Sequence, residues 1–139
     1  MTTPPLAYVP IRSAEELTAH WSAALDPPIF GTRSLWLMWL KDDGLPLPTL
    51  FPIDGLPRLP DNGMLFGLLS IHEAIADEHL DGGGHLAMVL CRPGRSEITE
   101  DDDEWVGMLS EVFDDRIDGS WSLHLAAGGR VVPLIDLPG

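Results

Sequence analysis

The feature that most constrains this chain is the stretch from His85 to Leu125. Leu86-Ala87-Met88-Val89-Leu90 is continuously apolar and bounded by glycines before and Arg92-Pro93-Gly94 after. Such a run predicts a strand over His85 to Cys91, covered on both faces inside a sheet. Residues 92–96 read as a loop. Thr99 and Asp102 then mark a helix start, with the Thr hydroxyl as cap and acidic residues where the helix dipole favours them. Trp105, Met108, Leu109, Val112, Phe113 and Arg116 share one face of that helix. Trp121-Ser122-Leu123-His124-Leu125 alternates, which predicts a half-buried strand. A strand, a helix and a second strand in this order call for helices layered on a sheet.

The flanking segments extend the same pattern. Residues 1–12 carry Pro4, Pro5 and Pro10 and read as an extended arm packed through Leu6, Tyr8, Val9 and Ile11. Residues 13–139 form one α/β domain. Ser13 and Glu16 make a capping box for a helix whose apolar face holds Leu17, Trp21, Ala24 and Leu25. Asp26-Pro27-Pro28 ends it. Leu35 to Leu40 is apolar on both alternating faces, an interior strand. Asp43-Gly44 signals a hairpin turn. Leu45 to Ile53 returns with prolines at 46, 48 and 52, a spacing tolerated at a sheet edge. Asp61 or Asn62 can cap the next helix, about Met64 to Leu80, and Asp81-Gly82-Gly83-Gly84 stops it. Gly128-Gly129 turns into a last strand, Arg130 to Ile135. The order is α-β-β-α-β-α-β-β, a mixed sheet flanked by helices.

Charge and cysteine content narrow the function classes. The chain has 139 residues, and 8 Lys+Arg against 22 Asp+Glu give a net charge of −14. Nucleic-acid affinity comes largely from cations that neutralise phosphates, so direct DNA or RNA binding is disfavoured. An anionic membrane surface is disfavoured for the same reason. No apolar run approaches the ~20 residues of a membrane span. One cysteine, Cys91, allows no internal disulfide, which fits a cytoplasmic protein. The first residues lack the basic start and apolar run of a secretory signal.

The element order, and the central unit above all, resembles the JAB/MPN (JAMM) superfamily, most closely its bacterial RadC-like branch. That family carries H-x-H-P after a buried strand, then a loop and S-x-x-D opening a helix. Its two His and the Asp bind zinc, an upstream Glu is the general base and the Ser assists an oxyanion. Here the two His positions fall on Leu90 and Arg92, and Pro93 is kept. Thr99 takes the Ser position if one loop residue is deleted, and Asp102 takes the Asp position. Leu35 to Leu40 offers no carboxylate for the Glu. The resemblance spans roughly residues 33–135. It implies a JAB/MPN-like fold with a cytidine deaminase-like layer arrangement. A catalytic zinc needs about three protein ligands and an open position. One carboxylate beside Arg92 does not supply them. The resemblance therefore implies a catalytically inactive member with no cofactor, acting as a protein-interaction or scaffold module in a bacterial cytoplasm.

Several other constellations in the chain carry chemistry. Arg92 next to Cys91 could lower the thiol pKa. Against that, free Cys at the end of a strand is usually buried. His72, His79 and His85 lack zincin spacing, since the residue four after His72 is Ala76. They read as core-edge histidines. The acidic run Glu97, Glu100, Asp101, Asp102, Asp103 and Glu104 reads as a solvated, dipole-matched helix start, or as a docking face for a basic partner. Trp36 or Trp39, if exposed, would mark a partner surface. A partner surface would draw on Arg92, Arg95, Glu100, Asp101 and Trp36, and exposed apolar strand surface would favour a homodimer. Two alternatives stay open: a hydrolase with a rearranged site from His85, Cys91, Asp102 and His124, and a small-molecule binding module with its pocket beside the Arg92–Ser96 loop.

Overall fold

A computed structural model of the chain describes residues 10–81, 83–114, 116–117 and 119–137. The elements are α1 (Ala14–Ala24), β1 (Ser34–Leu40), β2 (Pro46–Asp54), α2 (Asn62–His79), β3 (His85–Cys91), α3 (Glu100–Phe113), β4 (Ser120–Ala127) and β5 (Arg130–Ile135). The expected order of elements is the observed one. Of the proposed N-terminal arm, residues 1–9 lie outside the described residues. Ile11 is buried, and its amide donates to the Gly44 carbonyl at 2.8 Å.

The five strands form one mixed sheet in the order β2-β1-β3-β4-β5. β1 runs antiparallel to both β2 and β3. β3 and β4 run parallel, joined across the sheet face by α3, and β5 returns antiparallel to β4. β2 lies at an edge, as its prolines predict. All three occupy even positions, so the missing N–H groups fall on one side of the strand, away from β1. That blunts the free edge against pairing with another chain.

Strand periodicity sorts the core into two layers. Leu35, Leu37 and Trp39 of β1, Leu86, Met88 and Leu90 of β3 and Trp121, Leu123 and Leu125 of β4 pack against α2 and α3. Met38, Leu40, Ala87, Val89, Cys91 and Ala126 face α1 through its Leu17 and Trp21. The double coverage explains why β1 and β3 read as unbroken apolar runs.

β4 departs from expectation. Its alternation predicted one solvated face, yet Ser122 and His124 are fully buried. α1 covers that face, so the polar residues there point into a protein layer. α2 begins at Asn62, two residues before the expected start, because the Asp61 side chain accepts from the Met64 amide at 2.8 Å. His72 is buried and accepts the Trp39 indole N–H at 3.2 Å, as a core-edge histidine should, whereas His79 is exposed. No helix among the described residues is long and apolar enough to cross a membrane.

Gly84 fixes the entry to β3. It has φ +79, and a Cβ there would lie 2.7 Å from the Leu40 carbonyl oxygen. Gly84→Ala adds left-handed backbone strain to that collision. We expect a loss of about 2 kcal/mol in urea unfolding.

Candidate functional site

β3 ends at Cys91, and the alternation that turns Cys91 toward α1 turns Arg92 the other way, toward the start of α3. The Arg92 amide still donates to the Ala126 carbonyl at 3.2 Å, which anchors the first loop residue to the sheet. Its guanidinium carries five N–H donors, and all five find acceptors. Nε donates to Asp102 Oδ1 at 2.9 Å and Nη2 to Asp102 Oδ2 at 2.7 Å, a two-point fork. Nη2 also reaches the Glu97 carbonyl at 2.9 Å. Nη1 takes the carbonyls of Pro93 at 3.0 Å and Arg95 at 2.7 Å. The loop is wound around the cation. Gly94, at φ +93, supplies the left-handed turn this requires.

Asp102 completes the arrangement from the helix side. Thr99 caps α3 and accepts from the Asp102 amide at 3.2 Å, while Asp102 Oδ2 accepts from the Thr99 amide at 2.9 Å. This is a reciprocal capping box with Asp in the third helical position. The carboxyl is fully buried, which alone would raise its pKa. The bonds from Arg92 and Thr99 outweigh burial and hold the pKa below the usual carboxylate value. Arg92 is 3% exposed and Asp102 is 0% exposed. Arg92 therefore does not belong to a partner surface, where the sequence reading put it.

The other residues of that surface have separate fates. Arg95 and Glu100 are exposed. Asp101 pairs with Arg58 at 2.9 Å in a largely solvated bridge, worth at most about 1 kcal/mol. Trp36 is half-buried against the α1 layer and donates to Ser34 Oγ at 3.3 Å. Trp39 is fully buried.

The candidate hydrolase residues do not converge. His85 and Cys91 stand at opposite ends of β3, about 20 Å apart at the usual rise per residue. His124 pairs in register with Val89 on the α1 side, and Asp102 lies at the start of α3 on the other side of the sheet. Cys91 is fully buried, and burial pushes its thiol up to about 12, against a smaller lowering by a hydrogen bond with Ser34. The neighbouring cation does not activate it, because Arg92 is turned away and already neutralised. We expect Cys91 in the folded protein to resist iodoacetamide at pH 8, at under one hundredth of the rate in urea, since the thiolate is the reactive form. Mass spectrometry of the quenched reaction reads this directly.

Both histidines are buried and hydrogen-bonded on the α1 side of the sheet. His85 bonds through Nδ1 to Ser120 Oγ at 2.6 Å and through Nε2 to Ser122 Oγ at 2.7 Å. His124 Nε2 lies 2.8 Å from Thr18 Oγ1, whose own proton goes to the Ala14 carbonyl at 3.1 Å. That assigns the Nε2–H tautomer to His124 and leaves its Nδ1 buried without a partner. Both pKa values are lowered to about 4, chiefly by burial; the nearby His124 adds to the fall at His85, and Asp136 partly offsets it at His124.

A cleft of about 560 Å³ opens where β3 ends, lined in part by Arg33, Arg92, Arg95, Glu97, Thr99 and Asp101. Loops after parallel strands are the usual place for a ligand in a layered α/β sheet. Sequence reasoning missed Arg33, which precedes β1 and carries no motif. It also missed Ser120 and Ser122, although their alternation with His124 marks a continuous polar face. Among the described residues no group of three His, Cys, Asp or Glu side chains could hold a metal ion. No protein-family model, curated protein or solved structure matches this chain.

Proposed function

We propose that this chain is a catalytically inactive JAB/MPN-like domain that serves as a protein-interaction or scaffold module in a bacterial cytoplasm. One observation carries the reading. The Arg92 guanidinium forks onto Asp102 and fills its remaining donors with loop carbonyls. In the resembled family the Arg92 position is a zinc-binding His and the Asp102 position a zinc-binding Asp. Here the carboxylate already has a permanent cation, and a second cation at that point would be repelled. The element order and the Thr99–Asp102 helix start support the resemblance.

The test is a calorimetric zinc titration of protein purified without a histidine tag, together with peptide and isopeptide cleavage assays. We expect no tight zinc uptake and no turnover. Stoichiometric zinc, or cleavage that disappears in Asp102→Ala, overturns the reading.

A second reading is favoured by the cleft itself. At about 560 Å³ it falls within the range of small-molecule sites, and it sits beside the Arg92 loop. The domain would then be a small-molecule binding module. Native mass spectrometry of the purified protein would detect a ligand carried through purification.

A further inference from the structure

Arg33 lies at the cleft wall just before β1, and its Nη1 is fully enclosed with no hydrogen-bond partner. An arginine cannot shed its proton to relieve this, so an acceptor is missing. Arg95, on the facing loop, has no side-chain partner among the described residues and is exposed. The other charges around the cleft are largely cancelled. Asp102 is paired with Arg92 and Asp101 with Arg58, which leaves Glu97 as the opposing carboxylate. The cleft is locally cationic in a chain whose net charge is −14. Guanidinium groups suit oxyanions because their planar donors match two oxygens at once.

We infer that this cleft binds the oxyanion group of a small molecule, a carboxylate or a phosphate, held by Arg33 and Arg95. The inference rests on the small-molecule reading above and names its ligand class.

The test titrates the full chain at low salt with inorganic phosphate and, separately, with succinate. Thermal unfolding and backbone amide NMR shifts are followed. We expect saturable binding of at least one anion, with shifts centred on Gly94, Arg95 and Ser34, and a matching rise in Tm. A response to phosphate alone assigns a phosphoryl ligand, and a response to succinate alone assigns a carboxylate. Arg33→Gln and Arg95→Gln should each weaken binding at least tenfold, whereas Arg130→Gln, outside the cleft, should not. Arg33→Gln should fold as stably as the parent without anion, because its enclosed nitrogen has no bond to lose. No saturable response to either anion overturns the inference, as does an equal loss in Arg130→Gln. A co-purified ligand that carries no oxyanion would sustain the small-molecule reading and sink this inference, so the two failures are distinguishable.

Discussion

Arg92→Met should destabilise the domain by about 3–5 kcal/mol, read as a lower urea midpoint by tryptophan fluorescence. The reason is the asymmetry of buried ion pairs. Removing the guanidinium leaves the Asp102 carboxylate at 0% exposure with no cation, held only by the Thr99 amide. Domains of this size are stable by roughly 5–15 kcal/mol, so such a loss is a large share of the total. Arg92→Lys should recover only part of it, because an ammonium cannot fork onto both carboxylate oxygens and reach three loop carbonyls. The double variant Arg92→Met with Asp102→Leu should lose less than the two single losses added together. Coupled pairs of this kind show about 0.5–3 kcal/mol of non-additivity. An unchanged midpoint in Arg92→Met, or strict additivity in the double variant, would count against a buried, mutually dependent pair.

Acid should unfold the protein well before its carboxylates are titrated. His85 and His124 titrate near pH 4 in the fold, against about 6.5 in the unfolded chain. Between those values the unfolded state binds protons that the folded state refuses. Stability therefore rises with pH across this window: it is fully present above about 6.5 and lost toward 4. Each histidine is worth about 1.4 kcal/mol per pH unit there, and on the order of 3 kcal/mol over the whole window. The Asp102 contribution has the same sign but a lower window. Its folded pKa is depressed, so its stability persists above the unfolded value of 3.8 and is lost only below it. Loss of net charge toward the pI of about 4.4 relieves repulsion and works against the histidine effect. Urea unfolding at fixed ionic strength from pH 7 to 4.5 measures the sum. His124→Gln keeps a donor for Thr18 and should halve the slope. A flat profile between pH 4.5 and 6.5 in the parent would refute the account.

How much of this was legible depends on the range of the interaction involved. β3 and β5 begin and end where the sequence predicts, at His85–Cys91 and Arg130–Ile135, because unbroken apolar runs and Gly-Gly turns are local signals. The prolines at 46, 48 and 52 placed β2 at an edge, since a missing N–H forbids a partner on that side. The Thr99 cap was readable for the same reason, as its hydroxyl reaches the Asp102 amide three residues on; the return bond from the Thr99 amide to the Asp102 carboxylate emerged only in the structure. β4 misled because its period showed a polar face but not what lies over it. α1, over a hundred residues earlier in the chain, brings Thr18 to His124, a pairing no local pattern records.

The candidate site divides along the same line. Arg92 beside Cys91 in sequence suggested an activated thiol, but strand alternation sends adjacent side chains to opposite faces. The cation meets Asp102, ten residues on, and the thiol meets the apolar layer under α1. The sequence by itself determined the element order, the N-cap residues and the edge strand, because periodicity and turn chemistry act locally. Only the tertiary structure decided that Arg92 is saturated, that Cys91 is sealed, that two histidines are held neutral and that Arg33 faces a cleft without an acceptor. Those are facts of burial and of partners distant in the chain, and burial sets the energy of a charged or polar group more strongly than its neighbours in sequence do.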